Sequence, residues 1–183
     1  IVDCRQGVEL EPVSGGHDHG IGLLDPHIWL DPKRMKLVAN TSAESLQLLL
    51  PHEAAQISER LRILHREIDI THRRVAEVLE PYKGRALLVF HPAFGYFTNR
   101  YGLVQKAVEV EGKAPSARRL ATVLDEFGDQ SIRALFVQPQ FSRSSAERVA
   151  DALDCDLVEL DPLAGDYLNN LETMARTIAR TMR

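Results

Sequence analysis

Three residues have the types and positions to coordinate a metal ion: His27, His91 and Asp161. His91 follows Arg85-Ala-Leu-Leu-Val-Phe, an apolar run with a polar edge that reads as a strand buried on both faces. Asp161 ends a second such run in Glu159-Leu160-Asp161-Pro162, and His27 follows a proline in Leu24-Asp25-Pro26-His27-Ile28-Trp29-Leu30-Asp31-Pro32. Imidazole and carboxylate together make a first shell for zinc or a similar divalent metal. The spacings are long and match no local motif such as H-E-x-x-H. Plainer readings stand beside this one. A histidine after a strand also serves as a hydrogen-bonded structural residue, and Asp-Pro is a common turn. His17 and His19, flanking Asp18 in a Gly-rich stretch, are either a transient metal contact or a solvated loop. His52, His65 and His72 fall on helical patterns with no clustered partner and read as surface residues. Trp29, Phe94, Tyr96 and Phe97 read as core or as walls of a site, and Arg118 and Arg119 as solvent-facing. No nucleophile elbow, phosphate-cradling loop or dinucleotide fingerprint is present.

The elements that must position these residues follow from periodicity. Asp31 suits an N-cap and Pro32 the first helical position, so a helix starts there. It carries Met35, Val38, Ser42, Leu46 and Leu49 on one stripe and ends at Pro51. A second pattern from Glu53 to about Glu80 repeats apolar residues at spacings of three, four and seven, giving a helix roughly 40 Å long. Its narrow stripe suits a helix that crosses a surface or bridges two lobes. Strand and helix then alternate: strands at 85–90, 104–110, 134–138 and 156–160, helices at 93–101, 116–127, 143–153 and 166–182. That order predicts an α/β fold, a four-stranded parallel sheet flanked by helices with right-handed crossovers. Ligands in such sheets sit beyond the carboxyl ends of the strands, where His91 and Asp161 fall.

The chain of 183 residues is 44% hydrophobic with a net charge of −4, enough for a real core. Basic and acidic residues are interspersed, which argues against a nucleic-acid surface. No apolar run reaches the length of a membrane span. The start at Ile1-Val2-Asp3-Cys4, without methionine, reads as a processed or truncated piece. Cys4 and Cys155 are either one disulfide or two ordinary thiols.

Together these stretches resemble the substrate-binding receptors of bacterial zinc and manganese ABC transporters (cluster A-I), in the zinc-type branch. The matching stretches are Asp25-Pro-His-Ile-Trp-Leu-Asp-Pro32, His91-Pro-Ala-Phe-Gly-Tyr-Phe97, Ala114-Pro-Ser-Ala-Arg-Arg-Leu120, Phe136-Val-Gln-Pro-Gln-Phe-Ser142, and Leu160-Asp-Pro-Leu163 with Tyr167-Leu-Asn-Asn-Leu171. They run through nearly the whole chain in the family's order.

The resemblance implies two α/β lobes joined by a long rigid helix, with metal between them. By position His27 is the second family ligand, His91 the third and Asp161 the fourth. Histidine at 91 implies zinc over manganese, because manganese-type members tend to carry glutamate there. The His17–His19 loop is similar, in shortened form, to the His-rich loop of zinc receptors. The expected organisation is a remnant of the amino-terminal lobe at 1–50, the connecting helix at 51–82 and the carboxy-terminal metal-binding lobe at 83–183. The family's first histidine comes from the part of that lobe this chain lacks. Apolar surface on the remnant is expected to pair with another copy as a homodimer. The implied function is capture of a divalent metal, zinc, and its delivery to an ABC permease from the periplasm or the extracytoplasmic membrane surface. Zinc affinity is expected to fall in acid, because imidazole and carboxylate must be deprotonated to bind. A metal-dependent hydrolase on the same scaffold and a metal-free adhesion lobe are the alternative readings.

Overall fold

Asp31 stands where a first helix must begin, because its side chain accepts the Lys33 amide and Pro32 needs no amide partner. In the computed structural model, which describes residues 1–14, 24–109, 115–127 and 131–183, α1 runs Pro32–Leu49. A short turn at Pro51–Glu53 reverses the chain into α2, Ala54–Leu79, a helix of 26 residues as the periodicity predicts. The two are antiparallel: Lys36 donates to Asp69 at 2.7 Å and Gln47 to Ser58 at 2.8 Å.

From there β1 (Ala86–Val89), α3 (Gly95–Tyr101), β2 (Val104–Ala107) and α4 (Ala117–Phe127) alternate. They are followed by β3 (Ala134–Val137), α5 (Arg143–Ala152), β4 (Asp156–Glu159) and α6 (Tyr167–Thr181). All strand pairs are parallel, in the order β2-β1-β3-β4. The expected class, a four-stranded parallel sheet flanked by helices, is the observed one.

Period-two side-chain alternation divides the core between the two faces of the sheet. Leu87, Val89, Ala134 and Phe136 pack with Val75 and Leu79 of α2, Phe94 and Phe97, and Leu171, Met174 and Ile178 of α6. Leu88, Phe90, Leu135 and Val137 pack with Val123 and Phe127 of α4 and with Ala146, Val149 and Leu153 of α5. The helix after β1 thus lies on one face and those after β2 and β3 on the other. The order reverses between β1 and β3, and the crevice beyond their carboxyl ends is the switch point of the sheet.

Several side chains sit otherwise than the sequence suggests. Arg119 is 7% exposed; it donates to the Ala107 carbonyl at 2.5 Å and to Glu126 at 2.8 Å, anchoring α4 to the end of β2. His72 is half-buried against the Tyr101 hydroxyl, and His65 is half-buried with a buried Nε2. On α1 the predicted stripe is buried only in part. Leu46 and Leu49 are exposed, because the hairpin tip has only α2 to pack against and runs past the lobe. Phe94, Tyr96 and Phe97 are core. Both cysteines are free thiols, so the disulfide reading fails; burial first of all pushes the Cys155 pKa up to about 11. The His17-Asp18-His19 loop and Ala114 lie outside the described residues.

Candidate metal centre

Each strand of the sheet ends in a polar side chain on the same edge. In sheet order these are Glu109 after β2, His91 after β1, Gln138 after β3 and Asp161 after β4. Parallel strands explain the convergence, since every carboxyl end points the same way. His91 is held from several sides. Its Nδ1 lies 2.9 Å from Glu109 Oε2, Phe141 stacks on its ring at 4.8 Å, and Gln138 Nε2 donates to its carbonyl at 2.9 Å.

His27 approaches from the segment ahead of α1. Its ring centroid is 5.6 Å from that of His91, and the planes cross at 77°. Asp25 Oδ1 sits 2.5 Å from His27 Nδ1 and also accepts the His27 amide at 2.9 Å. Asp25 is held in turn by the close approach of Gly95, where an added Cβ would stand 2.9 Å from Asp25 Oδ2 and 2.8 Å from Ser14 Oγ. Tyr96 donates its hydroxyl to the Asp25 carbonyl at 3.0 Å and accepts the Glu11 amide at 2.9 Å.

The pattern repeats across the pair. Each imidazole meets a buried carboxylate through Nδ1, Asp25 being 1% and Glu109 4% exposed. A carboxylate there favours the Nδ1–H tautomer, fixes the ring and leaves the Nε2 lone pair for a metal. Among the described residues neither Asp25 nor Glu109 pairs with a lysine or arginine.

Asp161 is placed differently. Its Oδ1 accepts the Leu163 amide at 2.9 Å and Gln140 Nε2 at 3.0 Å, so that oxygen also shapes the turn. The two loops are tied together: Trp29 Nε1 donates to the Pro162 carbonyl at 2.9 Å, and Tyr167 donates to the Trp29 carbonyl at 2.8 Å. Among the described residues no three His, Cys, Asp or Glu side chains are grouped closely enough to hold a metal ion. The structure therefore brings His27 and His91 together and leaves Asp161 on the same edge but outside their pair.

Sequence reasoning passed over Glu109, Gln138 and Phe141. Glu109 and Gln138 share the signal that singled out His91, a polar residue just beyond a buried strand. Gln138 also keeps a buried Oε1 with no partner among the described residues, a further oxygen donor on this edge. Asp31, in contrast, serves structure. It is fully buried and accepts from Arg100 at 2.7 and 2.8 Å and from Arg34 at 2.6 Å. Burial raises its pKa, but the Arg100 guanidinium, the Lys33 amide and Arg34 outweigh this and hold it below the usual carboxylate value.

A doubly wound α/β lobe with two carboxylate-backed imidazoles at its switch point defines the class of this chain. The chain belongs to the family of zinc-uptake complex component A, periplasmic (ZnuA), whose model matches residues 1–181. It is 33% identical over 147 residues to the high-affinity zinc uptake system protein ZnuA of Brucella abortus, 79% of this chain and 44% of that protein. The chain thus spans less than half the length of that curated relative. A crystal structure of ZnuA superposes with a TM-score of 0.89 at 34% identity, covering 99% of this chain and 70% of the other. A ZnuA 138–173 deletion mutant with zinc bound matches with the same TM-score and identity, over 98% and 68% of the two chains. Among the described residues no helix is long and apolar enough to cross a membrane.

Proposed function

We propose that this chain forms the zinc-holding face of a solute-binding protein that passes zinc to the permease of an ABC importer on the outer side of the cytoplasmic membrane. His27 and His91 hold the ion through Nε2, and Asp161 is the carboxylate ligand offered from the same edge of the sheet. In this reading residues 1–50 are the tail of a first lobe, 51–82 the connecting helix and 83–183 the second lobe. Zinc is the cargo, and no catalytic role is assigned to any residue. The observation that carries the reading is the His27–His91 pair, 5.6 Å apart, with a buried carboxylate on each Nδ1. A dedicated binder gains from rings locked in one tautomer, whereas a hydrolase also needs an open metal position and a general base. Asp31 is unsuited to act as that base, because two arginines occupy it.

Equilibrium dialysis with zinc and with manganese, on the wild-type chain and His91→Ala, tests the proposal. Zinc is expected to bind in preference to manganese, and the substitution to lower zinc affinity at least about tenfold. Unchanged zinc affinity in His91→Ala would overturn the ligand assignment. Zinc-dependent turnover of a simple ester would favour the hydrolase instead.

A further inference from the structure

The helical hairpin carries a second polar feature that shares no residue with the His27–His91 pair. A cleft of about 630 Å³ opens between α1 and α2. Lys33 and Lys36 line it from α1, and Arg62, Arg66 and Arg73 from α2, with Asp69 as its single acidic lining residue. Asp69 is shared between both lysines, at 2.7 Å from Lys36 and 3.8 Å from Lys33. Arg62 pairs outside the cleft with Glu59 at 2.6 Å. Arg66 and Arg73 form no ion pair among the described residues, although the chain as a whole is acidic. His65 also lines the cleft, and its Nε2 is buried with no hydrogen-bond partner among the described residues.

The spacing defines the shape of what would fit. Residues 62, 66, 69 and 73 follow one another at intervals of four, three and four, which places them on one helical stripe. From Arg62 to Arg73 the stripe extends about 16 Å. Three guanidinium groups over that length, with Asp69 between the last two held by Lys36, exceed what one small oxyanion can satisfy, and guanidinium groups pair bidentately with phosphate oxygens. We propose that the α1–α2 cleft binds a soluble oligophosphate, with successive phosphate groups laid along Arg66 and Arg73, and Arg62 reaching the end of the phosphate chain by exchanging its Glu59 pair. Phosphate groups also occur on lipid head groups, and because Arg62, Arg66 and Arg73 are exposed the vesicle arm of the test separates that source from a free oligophosphate.

Isothermal titration calorimetry of the metal-free chain at low salt, with tripolyphosphate as the probe, tests this. The wild type is expected to bind, and Arg66→Gln/Arg73→Gln to bind about tenfold more weakly. Arg143→Gln/Arg148→Gln on α5 should bind like the wild type. Amide shifts in the wild-type NMR spectrum should cluster around Lys33, Lys36 and 62–73, a readout that does not depend on any variant folding. Equal binding of sulfate, equal loss in the α5 variant, scattered shifts, or binding only to phosphatidylglycerol vesicles would each overturn the proposal. Zinc binding should be the same in Arg66→Gln/Arg73→Gln as in the wild type, so this result and the zinc reading stand or fall separately.

Discussion

At the scale of single residues, the chemistry depends on what lies behind each imidazole. Glu109 is buried, and among the described residues His91 is the one side chain it bonds. Glu109→Gln keeps the shape but removes the charge that favours the Nδ1–H tautomer, and can present an amide N–H in its place. Zinc affinity is then expected to fall about 10- to 100-fold, the usual effect of losing an outer-shell partner of a metal-binding histidine. The thermal melt of the metal-free chain should move far less than the affinity. A variant that melts early and binds zinc normally would show that Glu109 is a structural residue. Asp25 holds the same relation to His27, with one addition: it also accepts the His27 amide, so it fixes backbone as well as ring.

At the scale of elements, α3 positions the site by how closely it lets the amino-terminal segment approach. Gly95 opens this helix, and a Cβ there would fall under 3.0 Å from both Ser14 Oγ and Asp25 Oδ2. Gly95→Ala therefore has to displace the side chains of Ser14 and Asp25, the latter the partner of His27. A destabilisation of about 1–3 kcal/mol is expected from such overpacking, measured by urea unfolding. Zinc affinity should weaken with it, because Asp25 moves. The other end of α3 stops at Gly102, where φ is +74° and the left-handed conformation ends the helix before β2. His91 precedes this helix and Glu109 follows β2, so α3 and its cap fix how the imidazole and its carboxylate meet.

At the scale of the whole molecule, Asp31 ties α1 to α3 through Arg34 and Arg100, and so joins the hairpin to the sheet lobe. Its folded pKa is held below the unfolded value. The stability it contributes is therefore present above the unfolded aspartate pKa of about 3.9 and is lost as the pH falls through the folded value. Arg100→Ala should cost about 1–3 kcal/mol in urea unfolding at pH 7 and clearly less near pH 3, where the carboxyl is taking up its proton. An equal loss at both pH values would mean that Arg100 acts through packing alone. The leucines at the hairpin tip are exposed, Leu48 at 85% and Leu49 at 75%.

The sequence by itself determined the order and kind of the elements. Alternating apolar runs, the Asp31-Pro32 cap and the uninterrupted 53–80 pattern are local signals, set by side-chain period and backbone chemistry. It also determined that His91 and Asp161 share one edge, because in a parallel sheet the place of a residue along its strand fixes its edge. Only the tertiary structure decided which groups meet across that edge. Strand order put Glu109 beside His91 and set β3 between His91 and Asp161. It buried Arg119 against a strand end and turned the charged face of α2 toward α1. Contacts between residues far apart in the chain follow from the crossovers, and periodicity within a segment carries no record of them.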